Sequence, residues 1–478
     1  MPLFTAPLPL AAALLAAALA LLSCRNEPAA ASKPVDIEIP SDLMGLVHAG
    51  STTAITPGSN IEAQYDLLDD IGVQWTLTDF SWSTIQGEDK KDAPASDWNW
   101  SGFDNYVKNG NDRNKKILGI LDYDTDWLHG GNTGEKTTVT DYMGAQTQVD
   151  VRTDGHIGRC VIGNDEVAKF CEYVTATVSR YNGSNGHGKV DAWNIWNEPN
   201  LFPRFWTGSM NEFFTLSKAA AAAARKADSQ AVIVVGALNS LATDPWIKGI
   251  YSSGAAKQAD FVSYHPYSTN SSSTAGLFQN FADKAAPSFR DKVWVTEVGH
   301  PTQGSYGTEI TVERLPKTIV KTIVLLASKG ARKIFWYQFY DSYRANPDPA
   351  DSEQWFGLYS AQSDGTLVSK GFLPDAYKLC AEYIPGTTWR AEGLPGLDLG
   401  ATVQANYFEG SDGRRVLVVW NDNLLTAPLV DITLPGTGHV LHSIKDGTSA
   451  PVPASGSYQL TKRDAPDEQV LFFTWTAE

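Results

Sequence analysis

Eight short, mostly apolar stretches, nearly all separated by helical patterns, constrain this chain more than any other feature. They lie at residues 43–48, 73–77, 116–121, 190–196, 231–238, 260–264, 293–296 and 333–338. The clearest intervening helix covers 164–181, where Val167, Phe170, Cys171, Val174, Val178 and Tyr181 recur on one face. Ser209 followed three residues later by Glu212 predicts a capping box for the Ala-rich helix that ends at Ala227. Strands and helices in alternation imply parallel βα units, because parallel neighbours need a crossover between them. Eight such units within residues 41–385 predict an α/β fold, a (β/α)8 TIM barrel with long loops. An open doubly wound sheet is the runner-up, but no Gly-rich phosphate loop follows the first stretch.

Beyond residue 390 the pattern changes. Short alternating segments at 403–409, 415–420, 429–434, 440–444, 458–461 and 470–475 are divided by Gly, Pro, Asn and Asp. That is the form of a smaller β-sandwich over 390–478. At the other end, residues 8–22 are an apolar run too short to span a bilayer comfortably. Residues 1–23 read as a signal peptide and 24–40 as a tether. Leu21-Leu22-Ser23-Cys24 resembles the lipobox of bacterial lipoproteins, so Cys24 is the candidate lipid anchor. The expected location is exported: periplasmic, cell-surface or extracellular. The stretch 130–160 is long, polar and aperiodic, and reads as a functional loop.

In a parallel barrel the chemistry sits at the carboxyl ends of the strands. Asn197-Glu198-Pro199 closes the fourth stretch, and Glu297 closes the seventh, Val293-Trp294-Val295-Thr296. One carboxyl group at each of two strand ends is the equipment of retaining glycoside hydrolysis, an acid/base and a nucleophile. Aromatics flanking Glu198 (Trp196, Phe202, Trp206) predict its desolvation, which raises a carboxyl pKa. His265 and Tyr267, at the end of an intervening strand, are candidate partners of Glu297. His48, Trp82 and Trp127, near the ends of the first three strands, are further substrate-binding candidates. A net charge of −16 argues against nucleic acid as a partner. No metal-ligand spacing appears among Cys and His, and no cofactor is implied. A Cys160–Cys171 disulfide and two free thiols remain equally open readings.

The motifs W-N-E-P-N (196–200), V-T-E (295–297), H-P-Y (265–267) and F-W-Y (335–337) together resemble a clan A glycoside hydrolase. The chain is most similar to family 39, the β-xylosidase, α-iduronidase and polysaccharide endoglycosidase group, from Leu43 to the end. T-D-F-S-W (78–82), I-L-G-I-L-D-Y (117–123) and F-G-L-Y (356–359) share its look. The resemblance implies Glu198 as acid/base and Glu297 as nucleophile. It implies Asn197 as the amide on the sugar 2-hydroxyl, Tyr267 or His265 as the nucleophile's partner, and Trp336 as the aromatic floor. One departure stands out. Many clan members carry an arginine near the end of the second strand, and Trp75-Thr76-Leu77-Thr78 has none. The expected activity is O-glycosidic cleavage in a polysaccharide or oligosaccharide. An exo-acting glycosidase such as a β-xylosidase, and a non-catalytic carbohydrate-binding protein on a degenerate barrel, are the alternatives.

Overall fold

The structure is a computed structural model and describes residues 35–49, 61–285, 289–397, 399, 403–421, 430–444, 448–452, 457–460 and 470–476. The signal-peptide and lipobox readings, and a helix cap read at Ser59, lie outside the described residues. All eight stretches are strands. They are β1 (Met44–Val47), β2 (Trp75–Asp79), β3 (Lys116–Leu121), β4 (Ala192–Ile195), β5 (Val232–Asn239), β6 (Phe261–His265), β7 (Val293–Val298) and β8 (Ile334–Trp336). Every neighbouring pair is parallel, and β8 closes on β1 with Ile334 opposite Met44 and Trp336 opposite Leu46. The chain is an α/β protein built on a closed (β/α)8 barrel.

Eight helices complete the units: α1 (Ile61–Asp70), α2 (Ser101–Asp112), α3 (Asn164–Arg180), α4 (Met210–Ala227), α5 (Asp244–Ser252), α6 (Ser271–Lys284), α7 (Leu315–Ser328) and α8 (Leu373–Tyr383). The capping box at α4 forms as expected: Glu212 N–H donates to Ser209 Oγ, and Ser209 N–H donates to the Glu212 carboxylate at 2.7 Å. Those are two of the otherwise orphaned donors at that helix start.

Side chains alternate across each strand, so every barrel strand serves two cores. Val47, Trp75, Leu77, Leu118, Ile120, Ala192, Val234, Trp294 and Phe335 fill the barrel. The residues between them face the helices. Trp75 meets Trp294 edge-on at 5.4 Å between ring centroids. At Gly119 a Cβ would lie 2.6 Å from the Trp193 ring, so only glycine fits there. Below this core Asp42 receives Lys333 at 2.8 Å and Lys116 at 2.7 Å. Burial works against the Asp42 anion, but the two lysines hold its pKa at about 2.

All six C-terminal segments are strands as well, in a sandwich of a seven-stranded and a two-stranded sheet. Three further strands carry no clear signal in the sequence: Ile37–Glu38, Thr387–Trp389 and Ser449–Pro451. The first corrects the tether reading, since Ile37 and Glu38 pair antiparallel with Trp389 and Thr388. Phe408, Val416, Val418, Trp420 and Phe472 face the barrel's helices and share their core. Tyr407, Leu417, Val419, Leu471 and Phe473 face the other way, against Leu394, Ile432 and Leu434. Barrel and sheet thus form one compact unit from Ile37 onward.

The 130–160 stretch also differs from expectation. It holds an antiparallel ribbon, Asn132–Thr140 against Gln146–Arg152. Both of its faces are largely exposed, so no hydrophobic alternation marks it in the sequence. Cys160 and Cys171 are free thiols, as is Cys380.

Candidate active site

Each of the eight strands delivers a polar or aromatic side chain to the mouth of the barrel. Glu198 follows β4, and Glu297 lies within β7 near its end. Their carboxylates and the His265 ring each offer an atom in a cluster no more than 4.8 Å across. His265 Nδ1 is 2.8 Å from Glu198 Oε1 and 3.6 Å from Glu297 Oε2. Its Nε2 is 2.9 Å from Thr296 Oγ1, which fixes the ring plane. Tyr267 donates its hydroxyl to Glu297 Oε2 at 3.0 Å. His265 and Tyr267 therefore both lie against the Glu297 carboxylate.

Backbone geometry aims Glu198. Trp196 and Glu198 have φ of 63° and 43°, and Ala237, whose carbonyl accepts from Glu198 N–H at 3.0 Å, has φ of 42°. Non-glycine residues in this region carry strain, and such strain gathers at functional sites. Asn197 is 7 % exposed, and its Oδ1 has no partner among the described residues. An acceptor held dry and unsatisfied in a cleft is poised for a ligand donor.

The electrostatics place the raised carboxyl at Glu297. Burial, reinforced by the Glu198 carboxylate, pushes it up to about 7, while His265, the Tyr267 hydroxyl and His48 pull the other way. Burial works against the His265 cation as well, yet Glu297 and Glu198 hold its pKa above the ordinary value. The sequence expectation of a desolvated Glu198 agrees with its 5 % exposure. The indoles expected to cause it, Trp196 and Trp206, instead pack on each other at 5.3 Å and are fully buried. β2 carries no arginine, and the His265 cation, favoured by both glutamates, is the positive charge beside Glu297. The shift also has a sign for stability. The folded state keeps a proton that the unfolded chain releases near 4.5, so this contribution is complete below 4.5 and is lost as pH rises through about 7.

Three expected residues stand elsewhere. Trp336 is fully buried in the outer core, facing the helices. The aromatic that β8 turns inward is the next residue, Tyr337, which meets Tyr267 at 6.5 Å, His48 at 5.5 Å and Phe356 at 5.0 Å. A one-residue change of parity moves a side chain to the opposite face. Trp82 is also fully buried, stacked on Tyr173 at 5.5 Å with its Nε1 donating to Gln86. Trp127 packs edge-on against Trp82 at 5.3 Å and donates to the Gln86 carbonyl. Among the described residues no contact joins either indole to the glutamates. His48, half-buried, is 2.8 Å from Gln338 Oε1 through its Nδ1.

Several site residues escape the sequence reading. Asn239, at the end of β5, donates to Glu198 Oε1 at 2.8 Å. Asp79 and Asp122 continue the inward parity of Leu77 and Ile120, and burial raises both carboxyls toward the neutral form. Both oxygens of Asp122 lack partners among the described residues. Arg159 lies with its guanidinium 4.0 Å from the centre of the Tyr123 ring. A stricter use of the strand-end rule finds Asn239 and Asp79. Nothing local marks Arg159.

A model of the family described as glycosyl hydrolases family 39 matches residues 142–293, which takes in Glu198, His265 and Tyr267 and ends just before Glu297. Over those residues the chain is similar to family 39. A β-xylosidase of Caldicellulosiruptor saccharolyticus is 39 % identical over 97 residues, 20 % of this chain and 18 % of that protein. The family 39 β-xylosidase of Caulobacter crescentus superposes with a TM-score of 0.59 at 15 % identity, over 93 % of this chain and 97 % of that one. A glucosidase from Croceicoccus marinus gives 0.59 at 14 % identity, over 93 % and 97 %. At these identities the solved structures speak for the fold.

The Tyr267 hydrogen bond carries a prediction for this site. In Tyr267→Phe the Glu297 anion loses its donor, so its pKa should climb further above about 7. A hydrogen bond to a charged group is worth roughly 1.5–3 kcal/mol, so kcat/KM should fall by about 10–100-fold. The alkaline limb of its pH profile should move upward. An unmoved limb would mean that Tyr267 does not act on the carboxylate.

Proposed function

We propose that this protein is an exported retaining glycoside hydrolase acting on a β-linked polysaccharide or its oligosaccharides. The carrying observation is the reach of the two carboxylates, whose facing oxygens lie within 4.8 Å across the barrel mouth. Retaining enzymes hold the pair about 5–5.5 Å apart, whereas inverting ones need about 6.5–9.5 Å to seat a water between them. Glu198 gives its proton to the leaving oxygen as Glu297 attacks the anomeric carbon. Glu198 then takes a proton from the water that releases the glycosyl-enzyme. Asn197 meets the 2-hydroxyl, with a hydrogen bond that tightens as the ring flattens.

The working form of the pair holds one proton. Its last proton leaves near pH 7, so kcat/KM should fall as pH rises past about 7. A β-xyloside is the first substrate to assay, since the curated relative is a β-xylosidase. Aryl β-xyloside turnover that disappears in Glu297→Ala, with a β-configured first product by NMR, supports the reading. Binding without turnover in the native protein overturns it in favour of a carbohydrate-binding barrel. Export and a lipid anchor on Cys24 belong to the same proposal. Fractionation of cells that express the full chain, beside its Cys24→Ala variant, tests both.

A further inference from the structure

Away from the glutamates, a second cluster of potential ligands gathers at the base of the ribbon. We propose that His129, Asp154, His156 and Glu166 form a binding site for a zinc-type divalent transition-metal ion that pins the 130–160 insertion to the barrel. His129 ends the short turn Asp126–His129 after β3, Asp154 and His156 follow the ribbon, and Glu166 lies in the first turn of α3. One ligand atom from each of the four lies within 4.8 Å of all the others.

On three of these side chains the spare atom is already engaged and faces away from the cluster. Asp154 Oδ1 accepts from His156 N–H at 2.9 Å, which leaves Oδ2 facing both rings. Glu166 Oε2 accepts from Ile162 N–H at 2.7 Å and leaves Oε1 facing inward. His129 Nε2 is 3.1 Å from the Cys160 carbonyl and 3.3 Å from Asp124 Oδ2, while Nδ1 faces the cluster and donates to Asp154 Oδ2 at 2.9 Å, a proton that an ion would replace. Metal-bound histidines are oriented by such a second contact through the other nitrogen. His156 Nδ1 is buried 2.8 Å from Asp154 Oδ2, outside hydrogen-bond geometry.

The separations suit a small ion. His129 Nδ1 is 2.9 Å from Asp154 Oδ2 and 3.7 Å from Glu166 Oε1. Ligand atoms around a tetrahedral zinc lie about 3.3 Å apart, given bonds near 2.0–2.1 Å. The nearby cation Arg152 is spent on Asp126 and on Asp124, 3.6 Å away, and does not neutralise Asp154 or Glu166. Cys160 joins both histidines in a second grouping of the same reach, which suits zinc better than calcium or magnesium.

The inference does not depend on the proposed hydrolase activity, and its test reads metal. Full-length protein is stripped with a chelator, dialysed and titrated with Zn²⁺ by calorimetry. A parallel titration with Co²⁺ is followed by visible absorption. The expected result is one ion per chain, with the intense d–d bands of a four-coordinate cobalt site. His156 is partly exposed, so His156→Ala should fold and melt like the native chain in chelator. Its zinc affinity should fall by at least about 100-fold, because even outer partners of metal ligands are worth ~10–100-fold. Asp154→Asn should act alike, and zinc should no longer raise the melting temperature of either variant. Absence of stoichiometric binding overturns the proposal and leaves an ion-paired histidine cluster. Binding that both variants retain overturns it too.

Discussion

In Glu198→Ala, hydrolysis of a β-glycoside with a poor leaving group should fall by about 10²–10⁴-fold, the usual cost of losing a general acid. An activated aryl glycoside should behave differently. Glu297 remains, with Tyr267 at 3.0 Å, so the first displacement needs no protonation and still proceeds. The glycosyl-enzyme then waits, since nothing takes the proton from water. Azide needs no base and should release it as the β-glycosyl azide. In Glu297→Ala no covalent intermediate forms, and azide can rescue only by direct attack on the opposite face, which yields the α-product. NMR of the azide products reads the difference. Products of swapped configuration would reverse the two roles, and near-normal turnover in both variants would sink the assignment.

In Phe472→Ala the expected effect is on stability, about 3–5 kcal/mol, since a fully buried aromatic leaves a large cavity. The ring lies on the barrel-facing side of the C-terminal sheet, 6.0 Å from Tyr383 at the end of α8. Beside it Trp420 receives Lys321 from α7 over its face at 5.4 Å. Urea unfolding followed by tryptophan fluorescence would show the loss as one earlier transition of barrel and sheet together. Ending the chain after Tyr383 strips this surface from the barrel and should bring aggregation before any loss of sugar affinity. A well-folded truncated barrel that has lost only polysaccharide binding would instead make the sheet a binding module.

Much of this architecture is legible because barrels write themselves into the chain as repetition. A strand buried on both sides must be apolar throughout, and the helix that follows must have one apolar face. That is why β1 to β8 and the α4 cap show in the bare order of residues. The same rule ties chemistry to strand ends and singles out Glu198, Glu297, His265 and Tyr267. It fails where both neighbours look alike. In β8 and the residue after it, Phe335-Trp336-Tyr337 is aromatic throughout, so composition does not say which ring faces the barrel mouth. The closure of β8 on β1 assigns it to Tyr337. Trp82 reads as a cleft aromatic because it follows a strand end, but the turn after β2 buries it against Tyr173.

What the sequence determined by itself, then, is whatever depends on local period and on a chain-order rule. That covers the eight βα units, the change to short strands beyond residue 390, and the two carboxyls at the ends of β4 and β7. Tertiary structure decided what depends on distance across the barrel. It set the burial that raises Glu297 and the His265 ring between the glutamates. It also brought His129 to Asp154, His156 and Glu166, which no motif spacing joins. Coulomb and desolvation energies depend on separation in space, and residues 67 or 99 apart in sequence can lie a few ångströms apart in the fold.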